Sequence, residues 1–581
     1  MSKTPNYDAK IKTLLDETKL GERTCPLTGE KWNFDEREMG WCRKFNAPRM
    51  DYSPRTLMQI FLSFRTAYEI FWNRHANSGE PILSYLHPDV PVPVVNDNEW
   101  HNMDVDAHPE YQVDYDLSQP LLPQMTNLVK KVPIGARRET KNVINTIGVG
   151  MWDVEDCYMV FSTVGVKRCL YTYYCLEGSE DVMQSVFVQS SQNCFGATRV
   201  ERSHSCKVAL ESRDCLHCNF VFDCRNCEDC FGATNLRNAK YVFFNEQLSK
   251  DAYEKRVAEI DLCCRSTFEE YYRRFVELVE SSPFPETFNI NSPDCRGEYL
   301  FDCVRTTDSY YMLKCTDCSY NYGSKNSENC VYVATTYPGT NIWMSAQIWH
   351  CNDIKYSMNC GWSQNLEYCY NCHDCENCFG CSSLRQKKFH IFNKPYTEEE
   401  YWRRVDEIKC AMLNHGEYGE FFPLEVSPNG TQFSMAAVLY DLGDEEMEKI
   451  GAPMYDPDRG AVLAPKKGQE TPPLNIADVP DCVGDVESSA WLGKPFIDAS
   501  VNRRWAVVPQ ELAYLKAHKL PFPREHYSSR LRRQVQMLNL IDTEDTVCAS
   551  CQKQLKVHKN KTFKNRKIYC QPCYLKYLET R

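Results

Sequence analysis

Residues 191–238 decide the fold, because they divide into four segments of 12 residues: SQNCFGATRVER, SHSCKVALESRD, CLHCNFVFDCRN and CEDCFGATNLRN. The same period begins at residue 154 and covers seven segments, of which only the second has 13 residues. Their fourth position selects small apolar side chains: Cys157, Cys169, Val182, Cys194, Cys206, Cys218 and Cys230. Such short segments cannot bury a core alone, so the repeat predicts a parallel β-solenoid with 12-residue rungs whose coils stack about 4.8 Å apart.

A second array of the same kind starts at residue 300, and it is looser, with two segments of 15 residues. The end of the first array, from Cys227, matches the end of the second, from Cys375, at 15 of 34 positions with a constant offset of 148. The sequence therefore predicts duplicated solenoids. In each copy an apolar strand ends at Asn245 or Asn393. A serine or threonine cap then predicts a helix that covers the open end of the solenoid.

The stretch CHDCENCFGCSSLRQ, residues 372–386, raises the choice between a metal site and packing. Its cysteines Cys372, Cys375, Cys378 and Cys381 are spaced like part of an iron–sulfur motif, but the distal Cys-Pro of that motif is absent. In the first array Ala233 takes the place of Cys381, which a packing position tolerates and a metal cluster does not. Asp or Asn precedes 14 of the 24 cysteines in 157–381, and these residues suit left-handed corners. The sequence favours packed thiols and leaves metal binding here open.

The carboxyl-terminal segment contains a second cysteine pattern, C-x2-C-x18-C-x2-C, formed by Cys548, Cys551, Cys570 and Cys573. Two residues between thiolates allow one turn to direct both sulfurs at a single tetrahedral ion, and no fifth ligand is offered. This spacing predicts a structural zinc ribbon.

Basic residues surround this motif. From 501 to 581 there are 17 Lys and Arg against 6 Asp and Glu, whereas residues 1–500 carry 50 against 73. A basic tail on an acidic body can contact backbone phosphate. The same positive charge can also simply make a small module soluble. The candidate nucleic-acid-binding residues are Arg530, Arg532, Arg533, Lys556, Lys559, Lys561, Lys564, Arg566 and Lys567.

The amino-terminal region contains two incomplete versions of the ribbon motif. Cys25 in CPLTGEKWNF and His75 in HANSGEPILSY each begin a knuckle, but Thr28 and Ser78 stand where a second cysteine would be. One ligand per knuckle is too few for a tetrahedral site, so these modules are expected to lack metal. A segment from Lys31 resembles one from Arg504, each with a Trp, a helical stretch and a closing Pro-Arg, which places related modules at both ends of the chain.

These observations predict a mixed, β-dominated fold of five parts. They are degenerate ribbon-like modules in 1–150, the first solenoid with capping helices in 151–285, the second solenoid in 286–426, an extended linker in 427–495, and a basic module with the zinc ribbon in 496–581. No signal peptide or apolar run of membrane-helix length is found, so a cytoplasmic location is expected. Thiols there stay reduced, which leaves metal ligation and burial as uses for the 32 cysteines.

The whole pattern resembles a family of cysteine-rich proteins with zinc-ribbon tails predicted in the genomes of candidate-phyla bacteria. The shared marks are the CPLTG opening, the N-C and D-C repeats that run into CFGxxxLR and FN, and GEYGEFFP at 416–423. PQELAYLKAHKLPFPR at 509–524 and YCQPCY at 569–574 complete them. The resemblance implies no activity. The chain departs from the family at Thr28, at Ser78 and around 496–505, where second cysteines are missing.

The sequence contains no catalytic constellation: no HExxH, no phosphate-binding glycine loop and no recognisable carboxylate pair are present. The question of enzyme activity stays open, and the composition favours a non-enzymatic scaffold whose basic zinc-ribbon tail docks a protein partner, RNA or a ribonucleoprotein. No membrane or small-molecule partner is expected. An enzyme with a reactive cysteine or nucleic-acid-directed chemistry, and a thiol-rich zinc store, are the alternatives.

Overall fold

The computed structural model describes residues 2–138, 140–324, 327–349, 351–462 and 471–580. The chain forms two compact units, and each of them is discontinuous in sequence. The first unit comprises Met1–Ala67, Phe71–Ala136 and Phe288–Tyr455; the second comprises Tyr68–Ile70, Arg137–Thr287 and Asp456–Arg581. Each unit thus combines one of the two cysteine-rich arrays with one end of the chain. In the described part of the chain, no helix has the length and apolar character needed to cross a membrane.

The second unit contains an 11-stranded sheet in which strands that are consecutive in sequence are neighbours. All pairs are parallel except the last, which is an antiparallel hairpin. The strands are Lys141–Ile144, Ile147–Glu155, Tyr158–Lys167, Leu170–Leu176, Met183–Gln189, Thr198–Glu201, Lys207–Leu210, Asn219–Phe222, Glu228–Thr234, Lys240–Phe243 and Glu246–Gln247. The register follows the sequence period, since Lys207 pairs with Asn219 and Leu170 pairs with Met183 across the one 13-residue segment.

The first unit contains a ten-stranded sheet of the same kind, again closed by one antiparallel hairpin. Its strands are Arg296–Phe301, Thr307–Leu313, Ser319–Tyr322, Val331–Ala334, Ile342–Ala346, Ile354–Lys355, Gln364–Glu367, Glu376–Phe379, Lys388–Ile391 and Lys394–Pro395. Here the prediction of two 15-residue segments is wrong: Ser319 pairs with Val331, and Val331 pairs with Trp343, so the 12-residue register is kept.

The reason for that error is a shorter period inside the 12-residue one. Along the first array a left-handed backbone recurs at every third residue, a conformation that residues other than glycine rarely adopt. A stretch of it reads Ser205, Val208, Glu211, Asp214, His217, Phe220, Asp223 and Asn226. The residue after each of these is buried: Cys206, Ala209, Ser212, Cys215, Cys218, Val221, Cys224 and Cys227. A segment boundary can therefore be misplaced by three residues without changing the pattern.

The prediction that Asp and Asn before the cysteines take left-handed conformations is confirmed, for example at Asp156, Asn193 and Asn371. The predicted helix caps are confirmed as well. The Ser249 hydroxyl accepts the Ala252 N–H, and Thr397 accepts that of Glu400. The helices that follow pack on the last parallel strand of each sheet through the ring pairs Tyr241–Tyr253 and Phe389–Tyr401.

The remaining helices and strands surround the two sheets. In the first unit, the helices are Pro5–Glu17, Glu36–Phe45, Pro54–Ser63, Asp97–Asn102, Leu121–Val129, Glu398–Asn414, Met435–Leu439 and Asp444–Lys449, and the strands are Gly21–Thr24, Lys31–Phe34, Phe71–Arg74, Pro81–Ser84, Val94–Val95 and Ile134–Gly135. In the second unit, the helices are Lys250–Ala258, Arg265–Ser281, Ser488–Trp491, Pro509–Ala517, Tyr527–Gln536 and Gln571–Leu578, and the strands are Pro283–Pro285, Phe496–Asp498, Arg503–Trp505, Asn539–Val547, Gln554–Asn560 and Lys567–Tyr569.

Two of the predicted boundaries differ from the observed elements. The first parallel sheet begins with Lys141–Ile144, ahead of residue 151. Of the segment predicted as an extended linker, 427–495, the part up to Tyr455 belongs to the first unit and contributes to its core, since all five residues of the helix Met435–Leu439 are buried.

Candidate metal centre

The four carboxyl-terminal cysteines lie at one end of a β-hairpin and at the start of a helix. The hairpin pairs Asn539–Val547 with Gln554–Asn560, and its turn carries Cys548 and Cys551. Two backbone hydrogen bonds shape the turn: the Cys548 N–H donates to the Lys553 carbonyl at 2.9 Å, and the Gln552 N–H donates to the Cys548 carbonyl at 2.9 Å. Gln552 is left-handed, with φ of 62°. This turn directs both thiols to the same side.

The second cysteine pair is supplied by the helix Gln571–Leu578, whose N-cap residue is Cys570. The Cys570 N–H donates to the Cys548 sulfur at 3.2 Å, and the sulfurs of Cys551 and Cys570 are 3.7 Å apart. All four sulfur atoms lie within 4.8 Å of one another. Four thiolates at this separation could hold one metal ion in tetrahedral coordination.

The protonation of these thiols is uneven. Burial opposes ionisation of Cys548, but the N–H groups of Cys570, Cys551 and Ser550 donate to its sulfur and lower its pKa to about 6. The Cys573 N–H favours the Cys570 thiolate, yet burial and the other three thiols raise the pKa of Cys570 to about 12. Without a cation, the four groups therefore cannot all ionise at neutral pH. A bound cation supplies the charge that would let them do so.

The same hairpin-and-helix geometry occurs in three more places, which makes four modules in the described chain. We number them along the chain by their first ligand position: Cys25, His75, Asp498 and Cys548. In each, the residue four positions later is left-handed: Gly29, Gly79, Asn502 and Gln552. In each, the second pair of positions falls at the N-cap and third residue of a helix: Ser53 and Thr56, Asn96 and Glu99, His526 and Ser529, Cys570 and Cys573.

The first module fills the four positions with one thiol and three hydroxyls. The Thr56 hydroxyl lies 3.5 Å from the Cys25 sulfur, 3.3 Å from the Thr28 hydroxyl and 3.0 Å from the Ser53 hydroxyl. Burial opposes ionisation of Cys25, but the Thr28 hydroxyl and the Ser53 N–H lower its pKa to about 7. A hydrogen-bonded cluster thus occupies the place of the four-thiol set.

The second module closes with a hydrogen bond between a histidine and a carboxylate. His75 Nε2 lies 2.8 Å from the Glu99 carboxylate, and the N–H groups of Asn77 and Ser78 both donate to His75 Nδ1. Its turn is built like that of the fourth module: the Ala76 N–H donates to the Val94 carbonyl at 2.7 Å, just as the Ala549 N–H donates to the Ile568 carbonyl at 2.7 Å.

The third module closes around a carboxylate. Asp498 accepts the His526 N–H at 3.0 Å, the counterpart of the Cys570 N–H bond to Cys548, and it also accepts the Ser500 N–H and hydroxyl. The predicted similarity between the segments from Lys31 and Arg504 is confirmed, since hairpin, helix and second helix follow one another at the same spacing in both. The residues that partner Cys25 and His75 at the helix starts are not cysteines or histidines. The sequence alone therefore did not identify them, and only their positions at the helix starts do.

The predicted basic residues divide into two groups. Arg530 is buried and donates to Glu511 at 2.8 Å, and Arg566 is buried and donates to Glu544 at 3.1 Å. The other seven are exposed or half-buried: Arg532, Arg533, Lys556, Lys559, Lys561, Lys564 and Lys567. Arg533 also pairs with Glu525.

The cysteines of the two parallel sheets are arranged differently from those of the fourth module. Each thiol of the 372–381 stretch donates to the carbonyl two residues earlier, at 3.2–3.7 Å, and all four are buried. In the described residues, no three sulfurs of either parallel sheet approach one another as the sulfurs of the fourth module do. The C-x2-C spacing follows from the three-residue period, which turns every third side chain inward.

One use of cysteine was not anticipated. Cys264 and Cys482, both in the second unit, form a disulfide, so the expectation that the thiols serve only burial and metal ligation is wrong for this pair.

Comparison of the sequence with known family models and with curated proteins gives no match.

Proposed function

We propose that the chain is a non-enzymatic binding protein in which a structural zinc ion, held by Cys548, Cys551, Cys570 and Cys573, fixes a basic hairpin that docks an RNA-containing partner. The observation that carries the proposal is the convergence of four thiols within 4.8 Å of one another, a group that no His, Asp or Glu of the described residues joins. A closed four-sulfur set leaves no open coordination position, which favours a structural over a catalytic ion.

Charge supports the choice of partner. The seven accessible basic residues lie on the hairpin of the fourth module, on the segment that joins it to the last helix and on the helix Tyr527–Gln536. Lysines and arginines clustered on the third and fourth modules attract backbone phosphate without reading sequence. A rigid hairpin presents them at fixed spacing, and the ion would supply that rigidity.

We also infer that each large sheet is part of a parallel solenoid with 12-residue turns, which serves as a platform for the modules. Pairing at a 12-residue offset and the recurrence of left-handed residues every third position support this inference. In each unit, the helix of one module forms a hydrogen bond with the same position of the duplicated array. The indole N–H of Trp100 donates to Ser383, and Asn235 donates to the Tyr574 hydroxyl, where 235 and 383 correspond in the duplication.

Binding of mixed-sequence single-stranded RNA, measured by fluorescence anisotropy at several salt concentrations, tests the docking proposal. Replacing Lys556, Lys561, Lys564 and Lys567 by Glu should abolish binding. Replacing the same four by Gln should lower the slope of log K against log salt by about 3, at about 0.7 per phosphate contact. The matched control replaces the exposed Lys12 and Lys31 of the first unit and should leave the slope unchanged. Equal affinity of all variants contradicts the proposal.

Metal content separates the proposal from the zinc-storage alternative. Our proposal predicts about one zinc ion per chain, lost in Cys548→Ser/Cys551→Ser, whereas storage by the sheet thiols predicts many. Elemental analysis of the purified full chain decides between them.

A further inference from the structure

The disulfide between Cys264 and Cys482 lies beside a third cysteine. The sulfur of Cys263 is 3.8 Å from that of Cys264, and all three sulfurs lie within 4.8 Å of one another. The three residues are partly exposed, whereas the cysteines inside the two parallel sheets are buried, apart from the half-buried Cys295. The second unit therefore presents a disulfide and a free thiol together at its surface.

The backbone holds these cysteines in place independently of the covalent bond. Cys264 and Cys482 face each other in an antiparallel bridge. The Arg265 N–H donates to the Asp481 carbonyl at 2.9 Å, and the Val483 N–H donates to the Cys263 carbonyl at 3.1 Å. Ser266 adds two hydrogen bonds to the Asp481 carboxylate. Reduction of the disulfide would therefore leave Cys482 opposite both Cys263 and Cys264.

We propose that Cys263, Cys264 and Cys482 form a thiol–disulfide exchange centre, in which Cys482 pairs with either of its two neighbours and reacts with low-molecular-weight thiols and disulfides. This site is distinct from the four-cysteine metal centre and does not depend on it. Asp261 assists the positioning of Cys263, whose N–H donates to its carboxylate at 3.1 Å. Burial and this carboxylate raise the pKa of Cys263. Its side chain is therefore mainly the protonated thiol, and it reacts only after losing that proton.

The exchange balances in two steps. The Cys482 thiolate attacks an oxidised monothiol, R–S–S–R, forms a mixed disulfide with one half and releases the other as R–S⁻. The thiolate of Cys263 or Cys264 then attacks the Cys482 sulfur, forms the protein disulfide and releases the second R–S⁻. The two protons of the protein thiols pass to the two released thiolates, so two protein thiols are oxidised and one small disulfide is reduced.

The test uses the full chain with glutathione disulfide and maps disulfides by mass spectrometry. In Cys264→Ser we expect Cys263–Cys482 to form in place of Cys264–Cys482. In Cys263→Ser/Cys264→Ser we expect glutathione to remain on Cys482, at least about tenfold longer than in Cys264→Ser, because no neighbouring thiol displaces it. The half-buried Cys410 of the first unit, which is not part of a disulfide, provides an internal reference for a persistent adduct.

A persistent adduct on Cys482 in Cys264→Ser, with Cys263 still a free thiol, would overturn the proposal, because Cys263 would then take no part in the exchange. Circular dichroism of each variant shows whether it folds. A second measurement avoids substitutions: the unaltered chain is treated with excess reduced glutathione and quenched with iodoacetamide at intervals. It should show Cys263–Cys482 alongside Cys264–Cys482, and complete absence of the former would equally overturn the proposal.

Discussion

If the sheet thiols serve packing, replacing them by serine should have effects that depend on the column in which they lie. One column of the second unit reads Ser179, Ser191, Ser203, Cys215 and Cys227, so three hydroxyls are followed there by two thiols. The Ser203 hydroxyl donates to the Glu201 carbonyl at 2.9 Å and accepts the Cys215 N–H at 3.1 Å. A serine at 215 finds the Arg213 carbonyl in the equivalent place, 3.3 Å from the present sulfur.

The neighbouring column has no hydroxyl. It reads Cys157, Cys169, Val182, Cys194, Cys206, Cys218, Cys230 and Val242, all buried in one apolar cluster. We therefore expect Cys215→Ser to change the free energy of unfolding by less than about 0.5 kcal/mol. At Cys206 the His204 carbonyl, 3.4 Å from the sulfur, can also accept a serine hydroxyl, but that hydroxyl would lie between the thiols of Cys194 and Cys218 and beside no other hydroxyl. Cys206→Ser should therefore cost about 1–3 kcal/mol. Cys206→Val should be tolerated, because Val182 already fills such a position.

Urea unfolding of the full chain, followed by circular dichroism, provides the assay. With a denaturant slope of about 3 kcal/mol/M, Cys206→Ser should lower the midpoint by about 0.3–1 M and Cys215→Ser by no more than about 0.2 M. Zinc content should be the same in all three variants. Equal loss of stability at both positions, or loss of a metal ion with either serine, would refute the packing argument.

Three further predictions follow from the modules and from one buried lysine. Thr28→Cys/Ser53→Cys/Thr56→Cys, which completes a four-thiol set with Cys25, should raise the zinc content measured by elemental analysis by one ion per chain. The pKa of Lys355 is lowered to about 8, mainly by burial. Because the unfolded chain then binds more protons between pH 8 and about 10.5, stability should rise with pH over that window, and the rise should be absent from the urea midpoints of Lys355→Met. Removal of the ion from the fourth module by a chelator should speed amide hydrogen exchange in its hairpin and leave exchange in the parallel sheets unchanged.

Much of the architecture could be predicted from the sequence: the 12-residue period indicated parallel stacking, the match at an offset of 148 indicated the duplication, and Ser249 and Thr397 indicated the helix caps. The three-residue period could not, because left-handed positions are filled by Arg168, Val208 and Phe220 as well as by Asp and Asn, and such residues give no local signal. The thiols of the fourth module had a clear spacing. The disulfide had none, as its cysteines are 218 residues apart in sequence.

The modules show why the metal motif is predictable in one place only. The partners of a first-position residue can be hydroxyls, as at Cys25, a hydrogen-bonded carboxylate, as at His75, or backbone donors, as at Asp498. Serine, asparagine and threonine at helix starts are common for capping alone, so their second role is hidden in sequence.

The first and third modules also bury a glutamate at corresponding positions, Glu38 and Glu511, and this residue explains how a module can stay attached without a metal ion. Glu38 accepts the Tyr332 hydroxyl at 2.8 Å and lies 3.4 Å from Arg49; Glu511 accepts the Tyr171 hydroxyl at 2.8 Å and pairs with Arg530. Each tyrosine belongs to the parallel sheet of the same unit. Removing one partner of a buried pair costs about 3–5 kcal/mol, so this contact anchors a module without any ion. In the fourth module the buried carboxylate contact is reversed, because the Tyr574 hydroxyl of the module donates to the buried Asp223. The module itself closes on four thiols that cannot all ionise alone. It is therefore the module whose structure should depend on a metal ion.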